Sequence, residues 1–139
     1  MPADAFLDTN ILIYAIEMGG RDRQKAESAR RLLRGSRFVL STQVLGEFYR
    51  AVTSARRGSP LTHEEAVSWI QLWKRHDVQS ITGAHVDLAL ECARQFQISY
   101  YDALILSAAR FANCKLVYSE DLSAEQDYGG VRVVNPFAA

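Results

Sequence analysis

Short apolar runs alternate along the chain with longer segments of helical periodicity, and this alternation is the feature that most limits the fold. The apolar runs at 5–7, 38–40 and 131–134 are bounded by turn or capping residues, which is typical of buried strands. The segments between them place apolar residues three and four positions apart, which is typical of amphipathic helices. Because strands separated by helices usually pair in parallel, we predict an α/β fold with a parallel central sheet and more helix than usual.

The chain is long enough to bury a core of its own, and we expect residues 1–139 to form a single domain. Hydrophobic residues make up 48% and charged residues 23% of the sequence, which excludes the polar bias of a disordered chain. We predict strands at 5–7, 38–40, 78–81, 115–118 and 131–134, and helices at 11–16, 21–34, 42–57, 62–75, 82–97 and 99–113.

The sequence shows neither a membrane segment nor a secretion signal. Its longest clean apolar run, at 11–16, is far shorter than the roughly 20 residues needed to cross a bilayer. The first residues lack a basic region followed by a long apolar stretch. Cys92 and Cys114 occur without the paired Cys and His spacings of a zinc site, which fits a reducing compartment. We therefore expect a soluble, cytoplasmic protein that does not bind membranes.

Two acidic residues, Asp8 and Asp121, each come just past the end of a predicted strand. The carboxyl ends of parallel strands meet at one edge of a sheet, and open parallel sheets bind their ligands there. Asp8 and Asp121 could therefore share one cleft. Ser119 and Glu120 precede Asp121 in the same loop, so this edge is rich in oxygen atoms that could bind a metal.

Two further acids, Glu47 and Asp102, lie where an acid is unusual, in the apolar stripes of predicted helices. Glu47 shares a helix face with Val44 and Phe48, and Asp102 shares one with Ile105. Both carboxylates should face the core or its edge, where an unsatisfied charge is costly. Two carboxylates about 5 Å apart repel by roughly 3 kcal/mol at an effective dielectric constant of about 20. A cluster of them implies raised pKa values or a bound cation, and oxygen ligands favour Mg²⁺ or Mn²⁺.

Each of these acids also has a simpler interpretation. Asp8 could cap the first helix, and Asp102 follows Ser99 at the spacing of a capping box. Glu47 could reach solvent from the edge of its stripe, and Asp121 could be an ordinary loop residue. Spacing alone therefore leaves open both a shared metal site and four unrelated acids.

The charges are unevenly distributed along the chain, although the net charge is zero. Residues 1–75 carry 12 Lys and Arg against 8 Asp and Glu, whereas residues 76–139 carry 4 against 8. Much of this excess lies in and around the second predicted helix. Arg30, Arg31 and Arg34 could bind the phosphate backbone of a nucleic acid, or they could form an ordinary solvated helix face.

Four segments resemble the conserved blocks of PIN domains, in the same order and with the same spacing. They are FLDTNIL at 6–12, QVLGEF at 43–48, YDALI at 101–105 and YSEDL at 118–122. The closing segment VVNPF at 133–137 resembles the end of VapC-type toxins. The resemblance covers essentially the whole sequence. It implies a three-layer α/β/α sandwich with a short, mostly parallel sheet of about four or five strands and about six or seven helices.

The same resemblance implies an endoribonuclease that depends on Mg²⁺ or Mn²⁺. In the VapC-like branch it also implies a homodimer that a cognate antitoxin holds inactive. Members of the family differ in which acid of the fourth block reaches the metal. The position two residues after Ser119 favours Asp121 over Glu120. The residues implied are the catalytic and metal-binding acids Asp8, Glu47, Asp102 and Asp121 and the supporting polar residues Thr9, Asn10, Ser119 and Glu120.

Three alternatives to this function differ in how well the sequence supports them. A metal–carboxylate site could equally cut DNA or a structured precursor RNA. A non-catalytic protein of the same fold could bind RNA or a partner, but such a protein would typically have lost one of the four acids. A phosphatase of the haloacid-dehalogenase type also begins with an aspartate at a strand end, but it requires Asp-x-Asp, and the third residue here is Asn10.

Overall fold

The computed structural model describes residues 5–122 and 126–138, and the elements below are those of these two ranges. The strands are β1 (Ala5–Leu7), β2 (Phe38–Ser41), β3 (Asp77–Gln79), β4 (Leu116–Tyr118), β5 (Asp127–Tyr128) and β6 (Val131–Val134). The helices are α1 (Thr9–Ala15), α2 (Arg23–Gly35), α3 (Thr42–Val52), α4 (His63–Trp73), α5 (Gly83–Phe96) and α6 (Tyr100–Phe111).

One sheet holds all of these strands, in the order β3-β2-β1-β4-β6-β5. Every pair in it is parallel except β5 with β6. Helix α1 contacts α2 and α3, and α3 contacts α4, while α5 packs against α6, which contacts three of the strands. The predicted α/β sandwich with a mostly parallel sheet is therefore confirmed.

The described residues contain six strands, whereas the resemblance implied four or five. The additional strand is β5, which has only two residues and pairs antiparallel with β6. Gly129 and Gly130 form the turn with positive φ angles of 66° and 97°, and the backbone N–H of Gly130 donates to Oδ1 of Asp127 at 2.7 Å. A strand this short has no alternating pattern of apolar residues, so the sequence does not reveal it.

Helix α3 is shorter than predicted, ending at Val52 rather than near Arg57. The backbone N–H of Leu61 donates to the carbonyl of Val52 at 2.8 Å, and the hydroxyl of Thr53 donates to the carbonyl of Tyr49 at 2.7 Å. These bonds satisfy carbonyl groups at the helix end, so the chain can turn there. The start of the helix is as expected, with the hydroxyl of Ser41 accepting from the N–H of Val44.

The core lies on both sides of the central strands, where Phe6, Leu40 and Phe48 are fully buried. Trp69 and Trp73, which are one turn apart on α4, stack with ring centroids 5.5 Å apart. Trp73 is 5% exposed and packs edge-on against Phe48, so this aromatic pair contributes to the core. Of the helices in the described ranges, none combines the length and the apolar character that a membrane crossing requires.

Strand β1 lies at the centre of the parallel part of the sheet, between β2 and β4. Its register with β4 pairs Leu7 with Tyr118, so both strands end at the same level. The backbone N–H of Asp8 donates to the carbonyl of Tyr118 at 3.0 Å, which extends the pairing by one bond. Residues that follow β1 and β4 in the sequence therefore meet at one edge of the sheet, as the strand pattern predicts.

Candidate active site

Asp8 is the buried acid at this edge. It directly follows β1 and caps the N-terminus of α1, and it is only 5% exposed. Its Oδ1 accepts a hydrogen bond of 2.7 Å from the backbone N–H of Thr9, and its Oδ2 accepts one of 2.7 Å from the hydroxyl of Ser119. The capping role considered for Asp8 is therefore real. It engages one carboxylate oxygen, while the other oxygen reaches across to the loop after β4.

The surroundings of Asp8 work against its negative charge. Burial raises the pKa of this carboxyl from its ordinary 3.8 to about 6, against the lowering effect of the hydrogen bonds from Ser119 and Thr9. The negative charges of Asp121 and Glu47 contribute to this rise. Two of the other three predicted acids are therefore close enough to Asp8 for their charges to act on it.

Glu47 reaches this edge from α3. Its neighbours Val44 and Phe48 are fully buried, whereas Glu47 itself is half-buried, as expected for an acid at the border of an apolar stripe. Its Oε1 accepts a hydrogen bond of 2.6 Å from the hydroxyl of Thr9, and its Oε2 accepts one of 3.2 Å from the amide of Gln43. Two neighbouring side chains therefore hold this carboxylate in place.

Asp121 lies in the loop after β4 and is exposed. The amide of Asn10 donates to its Oδ2 at 3.0 Å, and its own backbone N–H donates to the hydroxyl of Ser119 at 3.1 Å. The side-chain oxygen of Asn10 in turn accepts from the backbone N–H of Glu120 at 3.3 Å. Asn10 and Ser119 thus join this loop to the start of α1.

The side chain of Glu120 is engaged elsewhere. Lys25 lies 2.5 Å from its Oε2, and the hydroxyl of Tyr14 donates to its Oε1 at 2.7 Å. Burial by itself raises the pKa of Glu120, but the hydrogen bonds from Lys25 and Tyr14 and the charge of Lys25 together hold it below its ordinary value. Glu120 is therefore an ionised partner of Lys25, whereas Asp121 is the acid of this loop that acts on Asp8.

Asp102 lies in the first turn of α6 and is half-buried. Its backbone N–H donates to the hydroxyl of Ser99 at 3.2 Å, so the predicted cap of this helix is present. Within the described ranges, its carboxylate makes no hydrogen bond to the other three acids. The link to them is indirect, because Gln43 donates both to Glu47 and, at 3.1 Å, to the carbonyl of Tyr101, the residue before Asp102.

The acids provide only carboxylate oxygens, which suit a hard divalent cation. Repulsion of Asp8 by Glu47 and Asp121 also favours a cation, because a positive charge would lower the pKa of Asp8 again. Among the described residues, however, no three His, Cys, Asp or Glu side chains lie as close together as the ligands of one ion. The donor chemistry therefore fits a metal, and binding one requires these carboxylates to turn toward each other.

The three arginines of α2 differ in their surroundings. The guanidinium of Arg30 donates to the carbonyl of Ala15 at 2.9 Å and also to the carbonyl of Glu17, so it fastens α2 to the end of α1. Arg31 and Arg34 are exposed. Contact with RNA stays a prediction for all three, and only Arg31 and Arg34 have surroundings that favour it.

Gln43 and Lys25 are two residues of this region to which the sequence assigned no place in the site. Gln43 lies one helical turn before Glu47, and that spacing is a signal that could have revealed their contact. In the sequence, Lys25 is one of several basic residues in the second predicted helix. Its contact with Glu120 joins residues 95 positions apart, which no local pattern discloses.

The family model of the PIN domain matches residues 5–126. The chain belongs to the PIN-domain family. The comparison with curated proteins finds no matching sequence. The match begins at β1 and ends at residue 126, beyond Asp121, so all four acids of this PIN domain lie within it.

Solved structures similar to this PIN domain agree with its fold. A toxin–antitoxin complex from Klebsiella pneumoniae has 17% identity and a TM-score of 0.70, with coverage of 97% of this chain and 99% of that one. VapC20 from Mycobacterium tuberculosis has 22% identity and a TM-score of 0.67, with coverage of 84% and 89%. VapBC2 from Rickettsia felis has 18% identity and a TM-score of 0.64, with coverage of 93% and 96%. Identities this low show a shared fold.

Proposed function

We propose that this PIN domain is an endoribonuclease that depends on Mg²⁺ or Mn²⁺ and acts as the toxin of a toxin–antitoxin pair. The observation that carries the proposal is the buried carboxyl of Asp8, whose pKa is raised to about 6 by burial first and by the charges of Asp121 and Glu47 in addition. A protein gains nothing in stability from acids that repel one another at a strand end. Such a cluster is typical of a functional site.

The residues that would hold the cation are Asp8, Glu47 and Asp121, with Asp102 at the start of α6 as the fourth acid. When bound there, a divalent cation makes water more acidic and offsets the negative charge of the phosphodiester. Ser119 and Thr9 keep oxygens of Asp8 and Glu47 in fixed positions by the hydrogen bonds they donate. The expected products of hydrolysis are a 5′-phosphate and a 3′-hydroxyl.

Membership of the family supports a nuclease, because PIN domains are generally nucleases and usually use divalent metal ions. The similar structures support the more specific proposal. VapC20 is described as a toxin that cleaves the sarcin–ricin loop, and the Klebsiella protein as part of a toxin–antitoxin complex. By analogy we propose RNA as the substrate, a cognate antitoxin as the partner, a homodimer as the assembly and the cytoplasm as the location.

The proposal is tested with RNA and DNA oligonucleotides of the same sequence, incubated with the purified protein in Mg²⁺, in Mn²⁺ and in EDTA. We expect cleavage of RNA only with a metal present, and loss of cleavage in Asp8→Asn and Asp102→Asn. Undiminished activity in EDTA would refute the metal mechanism. Preferential cleavage of DNA would change the substrate, and binding of RNA without cleavage under any condition would make the protein a non-catalytic module.

A further inference from the structure

A groove of about 290 Å³ runs along α3 from the acidic site. It is lined by Glu47, Arg50, Ala51 and Ser54. Arg50 follows Glu47 by three residues and is exposed, and within the described ranges its guanidinium makes neither a salt bridge nor a hydrogen bond. A free guanidinium beside a metal–carboxylate site can bind a phosphate group through paired hydrogen bonds.

An exposed aromatic residue, Tyr101, is linked to Glu47 through its backbone, because Gln43 donates to both residues. Tyr101 is 64% exposed, which is unusual for a large aromatic side chain next to an acidic site. Its ring meets that of Tyr100 in a T-shaped contact, with centroids 5.1 Å apart and planes at 75°. This contact covers at most one face of the Tyr101 ring, so the other face is free for stacking.

The position of Tyr101 is coupled to that of Glu47. Gln43, one turn before Glu47, donates to Oε2 of Glu47 at 3.2 Å and to the carbonyl of Tyr101 at 3.1 Å. The aromatic residue and the acid are therefore held by the same side chain. From Gln43 to Arg50 the helix axis rises by only about 10 Å, so one short segment of a nucleic-acid strand can contact both ends.

We infer that single-stranded RNA binds along α3, with an unpaired base on Tyr101, a phosphate on Arg50 and Glu47 between them. The inference rests on the proposed nuclease function and adds the path that the RNA takes across the protein and two residues that bind it. Aromatic side chains stack on bases of any sequence, while cationic side chains follow the backbone. A base within a duplex has both faces covered by its neighbours, so stacking on Tyr101 requires a single strand or a loop.

The test measures RNA binding separately from cleavage, in the Asp8→Asn background with EDTA present. An unstructured RNA labelled with fluorescein is titrated with protein, and its anisotropy is followed at several salt concentrations. The variants are Tyr101→Leu, Tyr101→Phe, Arg50→Gln and Arg50→Lys. Lys74→Gln is the matched control for the loss of one charge. Lys74 is exposed and precedes β3, so it lies at the amino ends of the parallel strands, away from the acids.

We expect Tyr101→Leu to weaken RNA binding about tenfold, a loss in the range for one stacked base, while Tyr101→Phe retains most of the affinity. We expect Arg50→Gln to reduce the slope of log K against log salt by about 0.7, while Arg50→Lys and Lys74→Gln leave it nearly unchanged. A duplex of the same sequence should bind more weakly and should be insensitive to Tyr101→Leu.

Three results would overturn the inference. The first is wild-type affinity in Tyr101→Leu together with an unchanged salt slope in Arg50→Gln. The second is a duplex that binds as tightly as the single strand and depends equally on Tyr101. The third is that Tyr101→Leu changes the sedimentation of the protein but not its affinity for RNA, which would make Tyr101 part of a protein interface. Cleavage by the wild-type protein in Mn²⁺ is measured in parallel: if cleavage occurs, these results overturn the RNA path alone, and if it does not, the proposed function itself fails.

Discussion

The hydroxyl of Thr9 donates a hydrogen bond of 2.6 Å to Oε1 of Glu47, and this bond joins the first residue of α1 to the middle of α3. Thr9 is also the residue whose backbone N–H binds Asp8. Two acids that lie far apart in the sequence are therefore held by one threonine. This arrangement has consequences for metal binding, because a side chain that orients a ligand affects the affinity for the ion.

Replacement of Thr9 by valine preserves the shape of the side chain but removes the hydroxyl. Oε1 of Glu47 then has no donor, and we expect the Mn²⁺ concentration that gives half-maximal cleavage to rise about tenfold or more. Thr53→Val is the matched control, because among the described residues the hydroxyl of Thr53 binds only the carbonyl of Tyr49, at the end of α3. Equal Mn²⁺ requirements in the two variants would show that Thr9 does not position a metal ligand.

The raised pKa of Asp8 makes the metal-free protein less stable at neutral pH. Because the pKa in the folded protein is about 6, above its ordinary 3.8, the folded state holds the proton more tightly between these values. The free energy of unfolding therefore falls as the pH rises from about 4 to about 6. A pKa shift of this size lowers the free energy of unfolding by about 3 kcal/mol. Asp8→Asn should restore part of this stability.

This effect is measured by urea unfolding in EDTA at pH 4, 5, 6 and 7. We expect the stability of Asp8→Asn relative to wild type to increase over this range and to level off above pH 6. Asp87→Asn, at an exposed position on α5, serves as the control and should show no such trend. A difference between wild type and Asp8→Asn that does not change with pH would contradict the assignment of a buried, repelled carboxylate.

The two acids of the loop after β4 should differ in their effect on the metal. Asp121 acts on Asp8, whereas Glu120 is bound by Lys25 and Tyr14. We expect Asp121→Asn to raise the Mn²⁺ requirement for cleavage much more than Glu120→Gln does. Titration of the cleavage rate with Mn²⁺ in both variants tests this order, and the reverse order would mean that Glu120 leaves Lys25 to bind the ion.

The arginines of α2 should separate into a structural and a binding class. Arg30 binds backbone carbonyls at the end of α1, so we expect Arg30→Gln to lower the free energy of unfolding by about 1–2 kcal/mol. Arg31 and Arg34 are exposed, so their replacement by glutamine should spare stability. Each replacement should also reduce the slope of log K against log salt by about 0.7 if the side chain binds one phosphate of the RNA. If the slope of log K against log salt is unchanged in the Arg31 and Arg34 variants, these side chains do not bind RNA and only face solvent.

The sequence reveals the parts of this fold that depend on local patterns. Strand β1 and the acid that follows it are visible as an apolar run that ends at Asp8, and the six predicted helices all occur within the described residues. Asp121 could be placed at the same edge because parallel strands share their carboxyl ends. These inferences needed only periodicity and capping residues, and the four conserved blocks then indicated the family.

Other features could not be predicted, because they depend on contacts between distant segments. The resemblance favoured Asp121 over Glu120, but no local pattern discloses the physical reason, which is the contact of Glu120 with Lys25 on α2. Arg30 stood out only as one basic residue among several, since its carbonyl partners lie in and after another helix. The early end of α3 likewise follows from the return of Leu61 to Val52.

The most direct test of the central claim is the rate of RNA cleavage as a function of Mn²⁺ concentration in wild type and Asp8→Asn, with EDTA as the zero point. We predict no cleavage in EDTA and a saturable rise with Mn²⁺ in the wild type. The rate in Asp8→Asn should be at least about a hundredfold lower at every concentration, on the order of the effect of removing one essential charged group. Cleavage by Asp8→Asn at the wild-type rate, or by either protein in EDTA, would contradict the metal-dependent mechanism.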